Sequence, residues 1–208
     1  MGTREDILGR ISAALDGADR TPPPEYRYGA VAAIDDLSGL FVERVEDYRA
    51  VVERVESSQI PAAVDRAVAG AARIVVPPGL PREWLTALDD VEVVTDDGDL
   101  SADELDRMDG VVTAAALGIA ETGTIVLDHG PDQGRRALSL VPDLHVCVVS
   151  EAQLIGDVPE SITRLRGAVD AGRPLTWISG PSATSDIELE RVEGVHGPRT
   201  LHVLLVSG

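Results

Sequence analysis

The sequence predicts an α/β layered domain on a mostly parallel (mixed) sheet, preceded by an N-terminal helix and a proline-rich linker. From Leu37 onward, segments of helical periodicity alternate with short apolar runs, as strand–crossover–strand units do. From Gly110 onward the apolar runs crowd together, and the gap between Val111–Ala114 and Thr124–Leu127 is short for a helical crossover, so antiparallel pairing is expected within the sheet. Hydrophobic residues make up 44% of the chain but aromatics only 3%, which leaves the core to Val, Ile, Leu and Ala. We expect residues 1–36 to form the helix and linker, and residues 37–208 the α/β domain.

The elements follow in order. Thr3 caps a helix running to Leu15, with Glu5 and Asp6 in its first turn, an apolar stripe of Ile7, Leu8, Ile11, Ala14 and Leu15, and Gly17 as its stop. The Pro22–Pro24 triplet makes the following segment extended. Leu37–Val45 has helical periodicity, and Arg49–Val55 alternates as a strand. A helix from Ser57 or Ser58 to Ala69 ends at Gly70, and Arg73–Val76 is a strand stopped by Pro77-Pro78-Gly79. Arg82–Leu88 is expected as helix, Val91–Thr95 as strand, and Ser101 opens a short helix with Glu104 at the capping-box position. The later strands are Val111–Ala114, Thr124–Leu127, His145–Val149, Pro174–Ile178 and Leu201–Val206, with a helix Ser161–Ala171 closed by Gly172.

Charge excludes some functions. The net charge is −18, with 36 acidic residues against 18 basic ones, and every basic residue is arginine. A nucleic-acid partner needs a basic patch, and none is visible. Such self-repulsion fits a halophilic protein adapted to a salt-rich cytoplasm, or an arginine-biased acidic protein of an ordinary one. The single cysteine, Cys147, lies in an apolar run and is expected in the core. One thiol holds neither an intrachain disulfide nor an iron–sulfur cluster, which takes four thiolates. With no signal-peptide core and no stretch of about 18 apolar residues, a cytoplasmic protein without a membrane span is expected.

Two polar-glycine segments against apolar runs are the candidate site: Gly118–Thr124 and Gly180–Arg199. Glycines at strand ends let the backbone approach a ligand closely. Glu121 is either a carboxylate at a pocket rim, serving as base, nucleophile or ligand, or a turn residue capping backbone N–H groups. Ser182, Thr184, Ser185 and Asp186 precede an expected helix start near Ser185, which reads as an anion site or as an N-cap box with Glu188. His196 and Arg199, in a Gly/Pro loop, suit recognition of a carboxylate or phosphate. Arg135 and Arg136 open an expected helix after Gly134, where positive charge opposes the helix dipole; a ligand anion, an acidic partner or simple solvation would each account for them. His129, His145 and His202 are scattered without metal-ligating spacing, and no Gly-x-Gly-x-x-Gly, Walker loop or Gly-x-Ser-x-Gly elbow occurs.

Gly118–Thr124, Leu138–His145, Ile178–Glu188 and Gly194–Arg199, with the opening Arg4–Ile11, resemble the LutC/YkgG family of lactate utilisation proteins, the LUD domain. The resemblance is strong from about Val111 to the end. It implies a NagB/RpiA/CoA-transferase-like fold and a role in oxidising lactate to pyruvate with iron–sulfur partner proteins. This chain would be the subunit without a cluster or other cofactor of its own, binding a small carboxylate or phosphate. The expected pocket gathers Glu121, Thr122, Gly123, Thr124, Gly180, Ser182, Thr184, Asp186, His196, Gly197 and Arg199. Arg199 would hold the anion, Glu121 and His196 would handle protons, and the hydroxyls would orient the ligand. The turn Glu121-Thr122-Gly123 is also similar to the Glu-Asn-Gly turn of CoA transferases, with Thr122 where the Asn would stand. The alternatives are a stand-alone acyl or CoA transferase or hydrolase with Glu121 as nucleophile, and an assembly protein with a vestigial pocket. Sugar-phosphate isomerases of this superfold often use a lysine, which this chain lacks.

The charge reading predicts a salt-stabilised fold. Near 1 M salt the Debye length is about 3 Å, so repulsion is largely screened. The melting midpoint should rise between dilute and molar KCl; a midpoint that stays level contradicts the halophilic reading.

Overall fold

The computed structural model describes residues 3–18, 34–181, 183–185, 191–193 and 197–207, the last short strands before residue 197 by backbone alone. The chain divides into two units, Met1–Ala30 and Val31–Gly208. The first holds helix α1 (Thr3–Ala14), with Glu5 and Asp6 in its first turn and Gly17 at a φ of 78° just beyond it.

The second unit begins with α2 (Leu37–Asp47), whose first turn is closed by the Asp36 carboxylate accepting from the Gly39 N–H at 2.7 Å. Strand β1 (Val51–Glu56) leads through a 3-10 turn into α3 (Ile60–Ala67). Then come β2 (Arg73–Val76), β3 (Glu92–Thr95), α4 (Ala102–Leu105) and β4 (Gly110–Ala114). The predicted capping box is formed: Ser101 and Glu104 each accept from the other's backbone N–H. Strands β5 (Leu117–Ile119), β6 (Thr124–Leu127), β7 (Leu144–Ser150) and β8 (Leu154–Ile155) follow. Helices α5 (Val158–Arg164) and α6 (Arg166–Asp170) precede β9 (Thr176–Ile178), β10 (Ala183–Ser185), β11 (Arg191–Glu193) and β12 (Thr200–Ser207).

The central sheet has six strands in the order β1-β12-β7-β4-β2-β3, parallel at every pairing. Strand period decides what each face buries. Val146 and Val148 of β7, with Leu204 and Val206 of β12, face a cluster built on Ile60, Ala63 and Val64 of α3. Cys147 and Val149, with Val203 and Leu205, face the opposite way, toward Phe41 and Val45 of α2 and Ile125 and Leu127 of β6. That second face is covered by a separate sheet in the order β8-β5-β6-β9, whose other side packs Leu117, Ile119 and Val126 against Leu165.

The antiparallel pairing expected from the short gap after Val111–Ala114 is therefore in the second sheet. It joins β5 to β6, with Leu117 opposite Val126 and Ile119 opposite Thr124. Strand β4 and strand β6 lie in different sheets, because Ala115 and Ala116 carry the chain off the central sheet before it turns back. Three further differences stand out. Arg82–Leu85 forms only a 3-10 turn, the expected helix Ser161–Ala171 starts earlier at its Asp157 cap and breaks at Leu165, and the expected helix start at Ser185 is a strand paired with β11.

Glycines make the layers fit. Gly180, at a φ of 89°, lies so close to Tyr48 that a Cβ there would overlap the Tyr48 side chain. Gly172 is also left-handed, at 71°, but has open space around it. Both Gly→Ala variants carry the left-handed penalty of about 1–2 kcal/mol, and Gly180→Ala adds overpacking of about 1–3 kcal/mol. Urea unfolding should show Gly180→Ala clearly the more destabilised; equal losses would refute the packing role.

One buried titrating group sets an acid limit. His145, 1% exposed, shares a 2.8 Å hydrogen bond between Nε2 and Thr113 Oγ1, and burial pushes its pKa down from 6.5 to about 4. The unfolded chain takes up this proton near pH 6.5, whereas the folded imidazole resists it until about pH 4. Stability should therefore fall as pH drops through that window, by about 3 kcal/mol from this group, and level off below it. His145→Gln should flatten this part of the stability–pH curve; an unchanged slope would show that other groups produce it.

Candidate functional site

The turn between β5 and β6, Ala120–Gly123, is positioned by the layer beneath it. The Glu121 N–H donates to the Gly156 carbonyl at 3.1 Å, and Gly123 adopts a φ of 59° against the backbone of Arg44 at the end of α2. A Cβ at Gly123 would stand 2.7 Å from the Arg44 carbonyl carbon, so the glycine is required by packing as well as by φ. Glu121 itself is exposed.

Hydroxyls connect this turn to the end of β9. Thr122 Oγ1 lies 2.8 Å from Thr124 Oγ1, and Thr124 Oγ1 lies 2.8 Å from Ser179 Oγ. Strand pairing of Ile125 with Ile178 explains why residues far apart in sequence meet here. Ser179 and Gly180 line a cavity of about 270 Å³ that also takes in Gly197, Pro198, His145 and Thr176.

The expected site residues are thus distributed unevenly. Gly180 and Gly197 line this cavity, and Thr122 and Thr124 are tethered to it through Ser179. Gly123 and Glu121 are in the turn beyond, and Glu121 is not part of the cavity wall. Arg199 is exposed, with its Nη1 3.5 Å from Asp143 Oδ2. Thr184 lies on β10, paired with Val192. Ser182, Asp186 and His196 lie outside the described residues.

Ser179 carried no site assignment from the sequence, and neither did Thr176, His129 and Asp96. Thr176 Oγ1 lies 2.8 Å from His129 Nε2 and 3.3 Å from an Arg136 Nη1 donor. His129 Nδ1 is 2.7 Å from the Gly134 carbonyl, which only accepts, so Nδ1 carries a proton. In the neutral imidazole Nε2 then accepts from the Thr176 hydroxyl, while Arg136 donates to the same oxygen. His129 holds a φ of 55°, uncommon for a non-glycine residue.

The adjacent arginines have different fates. Arg135 has the acidic partner within its own chain: its Nε donates to Asp96 Oδ2 at 2.7 Å, a second nitrogen to Oδ1 at 3.2 Å, and another bond reaches the Leu100 carbonyl. Burial alone would raise the Asp96 carboxyl, yet Arg135 and the N–H groups of Gly98 and Leu100 outweigh it and hold the pKa below the ordinary value. Arg136 has no carboxylate partner among the described residues. Arg135 caps and Arg136 begins a 3-10 helix, Arg136–Ser139, in place of a full α-helix. Cys147 is fully buried, with its thiol pushed up to about 12 by burial, which disfavours the thiolate a nucleophile needs.

Comparison with known proteins agrees with this architecture. The LUD domain matches residues 82–206. Lactate utilization protein C of Deinococcus radiodurans is 47% identical over 202 residues, covering 97% of this chain and 94% of that protein. The protein of the same name from Halalkalibacterium halodurans is 27% identical over 202 residues, covering 91% of this chain and 87% of its own length. A crystal structure of a DUF162 family protein from Deinococcus radiodurans superposes with a TM-score of 0.73 at 42% identity, covering 86% of this chain and 100% of that one. With a domain match over more than half of its length and close identity across nearly all of it, this chain belongs to the LUD-domain family.

Proposed function

We propose that this chain is the cluster-free subunit of a system that oxidises lactate to pyruvate with iron–sulfur partner proteins, and that it holds a small carboxylate. The observation that carries the reading is 47% identity, over 97% of the chain, to a protein named lactate utilization protein C. The chemistry of the chain supports the division of labour. Electrons leaving lactate need an acceptor, and one cysteine falls short of the four thiolates that an iron–sulfur cluster takes. The acceptor then belongs to the partners, and this chain contributes binding and orientation.

The cavity of about 270 Å³ suits a three-carbon acid. Arg136 at its wall supplies a charge-assisted donor for the carboxylate. The Thr176 and Ser179 hydroxyls supply neutral donors and acceptors, and Pro181, Pro198 and Leu201 the apolar surface.

The test is affinity capture of the chain from native lysate at high salt, with iron content and lactate-dependent dye reduction measured on the eluate. Iron-bearing partners with lactate oxidation are expected; a lone, iron-free protein without dye reduction overturns the reading. For the cavity, Ser179→Ala should weaken lactate binding by isothermal titration by about tenfold, the value of one hydrogen bond of about 1.4 kcal/mol. Unchanged binding would place the carboxylate elsewhere.

A further inference from the structure

A second, wider cleft lies outside the loops that the sequence singles out. Its volume is about 650 Å³, and Arg135, Arg136, Arg173 and His129 line it together with Asp96 and Asp97. It opens where β2 ends at Pro77-Pro78 and β3 ends at Asp96-Asp97-Gly98, the carboxyl edge of a parallel sheet, where ligands of open α/β folds bind.

Two of the three arginines there are not used up by the protein. Arg135 is, because Asp96 and the Leu100 carbonyl take its donors. Arg173 gives one nitrogen to Asp128 Oδ2 at 2.9 Å, and its Nε finds no acceptor. Arg136 donates only to the Thr176 hydroxyl among the described residues. In a chain of net charge −18, a wall whose arginines offset its aspartates is less hostile to an anion than the surface as a whole.

The walls are held in advance of any ligand. The Gly79 N–H donates to the Pro131 carbonyl at 2.9 Å, latching the loop after β2 to the loop after β6. Gly134, at a φ of 69°, backs onto Pro77, where a Cβ would stand 3.0 Å from the proline ring. His129 is clamped at both ring nitrogens by Gly134 and Thr176. Fixed donors cost little reorganisation when an anion arrives.

We infer that this cleft binds a phosphate-bearing small molecule through Arg136 and Arg173. Guanidiniums approaching from separate elements match the three terminal oxygens of a tetrahedral phosphate, whereas a planar carboxylate is filled by one fork. The cleft is larger than a three-carbon acid requires and falls in the usual range for small-molecule sites. Asp97 on its wall would repel a ligand that is anionic throughout, and accepts from a hydroxyl or amine on the part of the ligand beyond the phosphate. The site shares Arg136 with the smaller cavity, and Arg173, which lines this cleft alone, distinguishes the two.

The test is isothermal titration of the full chain with inorganic phosphate, pyrophosphate and lactate, each at one ionic strength set with KCl. Phosphate or pyrophosphate binding is expected, weakened at least tenfold in Arg136→Gln and in Arg173→Gln, and unchanged in Ser179→Ala. Should Arg173→Gln fail to fold for want of its Asp128 pair, Arg173→Lys, which keeps the charge opposite Asp128 but loses the planar fork, takes its place with the same weakening expected. Phosphate and pyrophosphate heats no different from KCl, or full phosphate binding in Arg136→Gln, overturn the proposal. Full phosphate binding in a folded Arg173→Gln also overturns it, because the anion would then rest on the smaller cavity alone. Loss of lactate binding in Ser179→Ala with phosphate binding intact would separate the two sites.

Discussion

A parallel sheet has two faces to keep from water, and the architecture of the α/β domain follows from how the second one is covered. One face receives α3, through Ile60, Ala63 and Val64. The other receives α2 together with a complete second sheet, and a sheet cannot settle onto that layer without close backbone approach. Gly118 supplies it beside Phe41 and Leu154, Gly123 beside Arg44, and Gly180 beside Tyr48. The polar-glycine segments that look like ligand loops are in this respect the places where two layers touch. The same approach draws Ser179 to Thr124 and encloses the small cavity between the sheets' ends.

Covering both faces also decides which polar groups lose water. His145 and Thr113 point into the face shared with the second sheet, so the imidazole stays neutral well below its usual range and its partner is another buried side chain. Asp96, at the carboxyl end of β3, stays charged because a planar guanidinium and backbone N–H groups replace its lost water. An arginine suits that role better than a lysine would, since its fork meets both carboxylate oxygens at once. By anchoring Arg135, the pair also fixes the start of the 3-10 helix on which Arg136 stands.

Much of the site was legible only as residue types. The Gly180 and Gly197 segments were found because glycine next to a buried strand is a local signal, and they do line a cavity. Thr176 was hidden inside a run that read simply as strand. His129 gave nothing beyond a histidine after an aspartate, since its partners Gly134 and Thr176 are brought together by the turn and by β9 pairing with β6. Arg135 and Arg136 were visible as charge in the wrong place for a helix start, which was the signal available for the wide cleft. Sequence could not divide their roles, because Asp96 is 39 residues from Arg135.

The sequence by itself determined the alternation of strands and helices, the Ser101–Glu104 cap, the strand Arg73–Val76 and the buried state of Cys147. Each depends on interactions within a few residues or on the period of apolar side chains, which the chain carries locally. Only the tertiary structure decided that β4 and β6 belong to different sheets and that Ser185 is in a strand. It alone placed Arg136 beside Thr176 and Arg173 beside an open cleft. Those outcomes rest on pairings between distant segments, and a strand's apolar pattern does not say which partner it will meet.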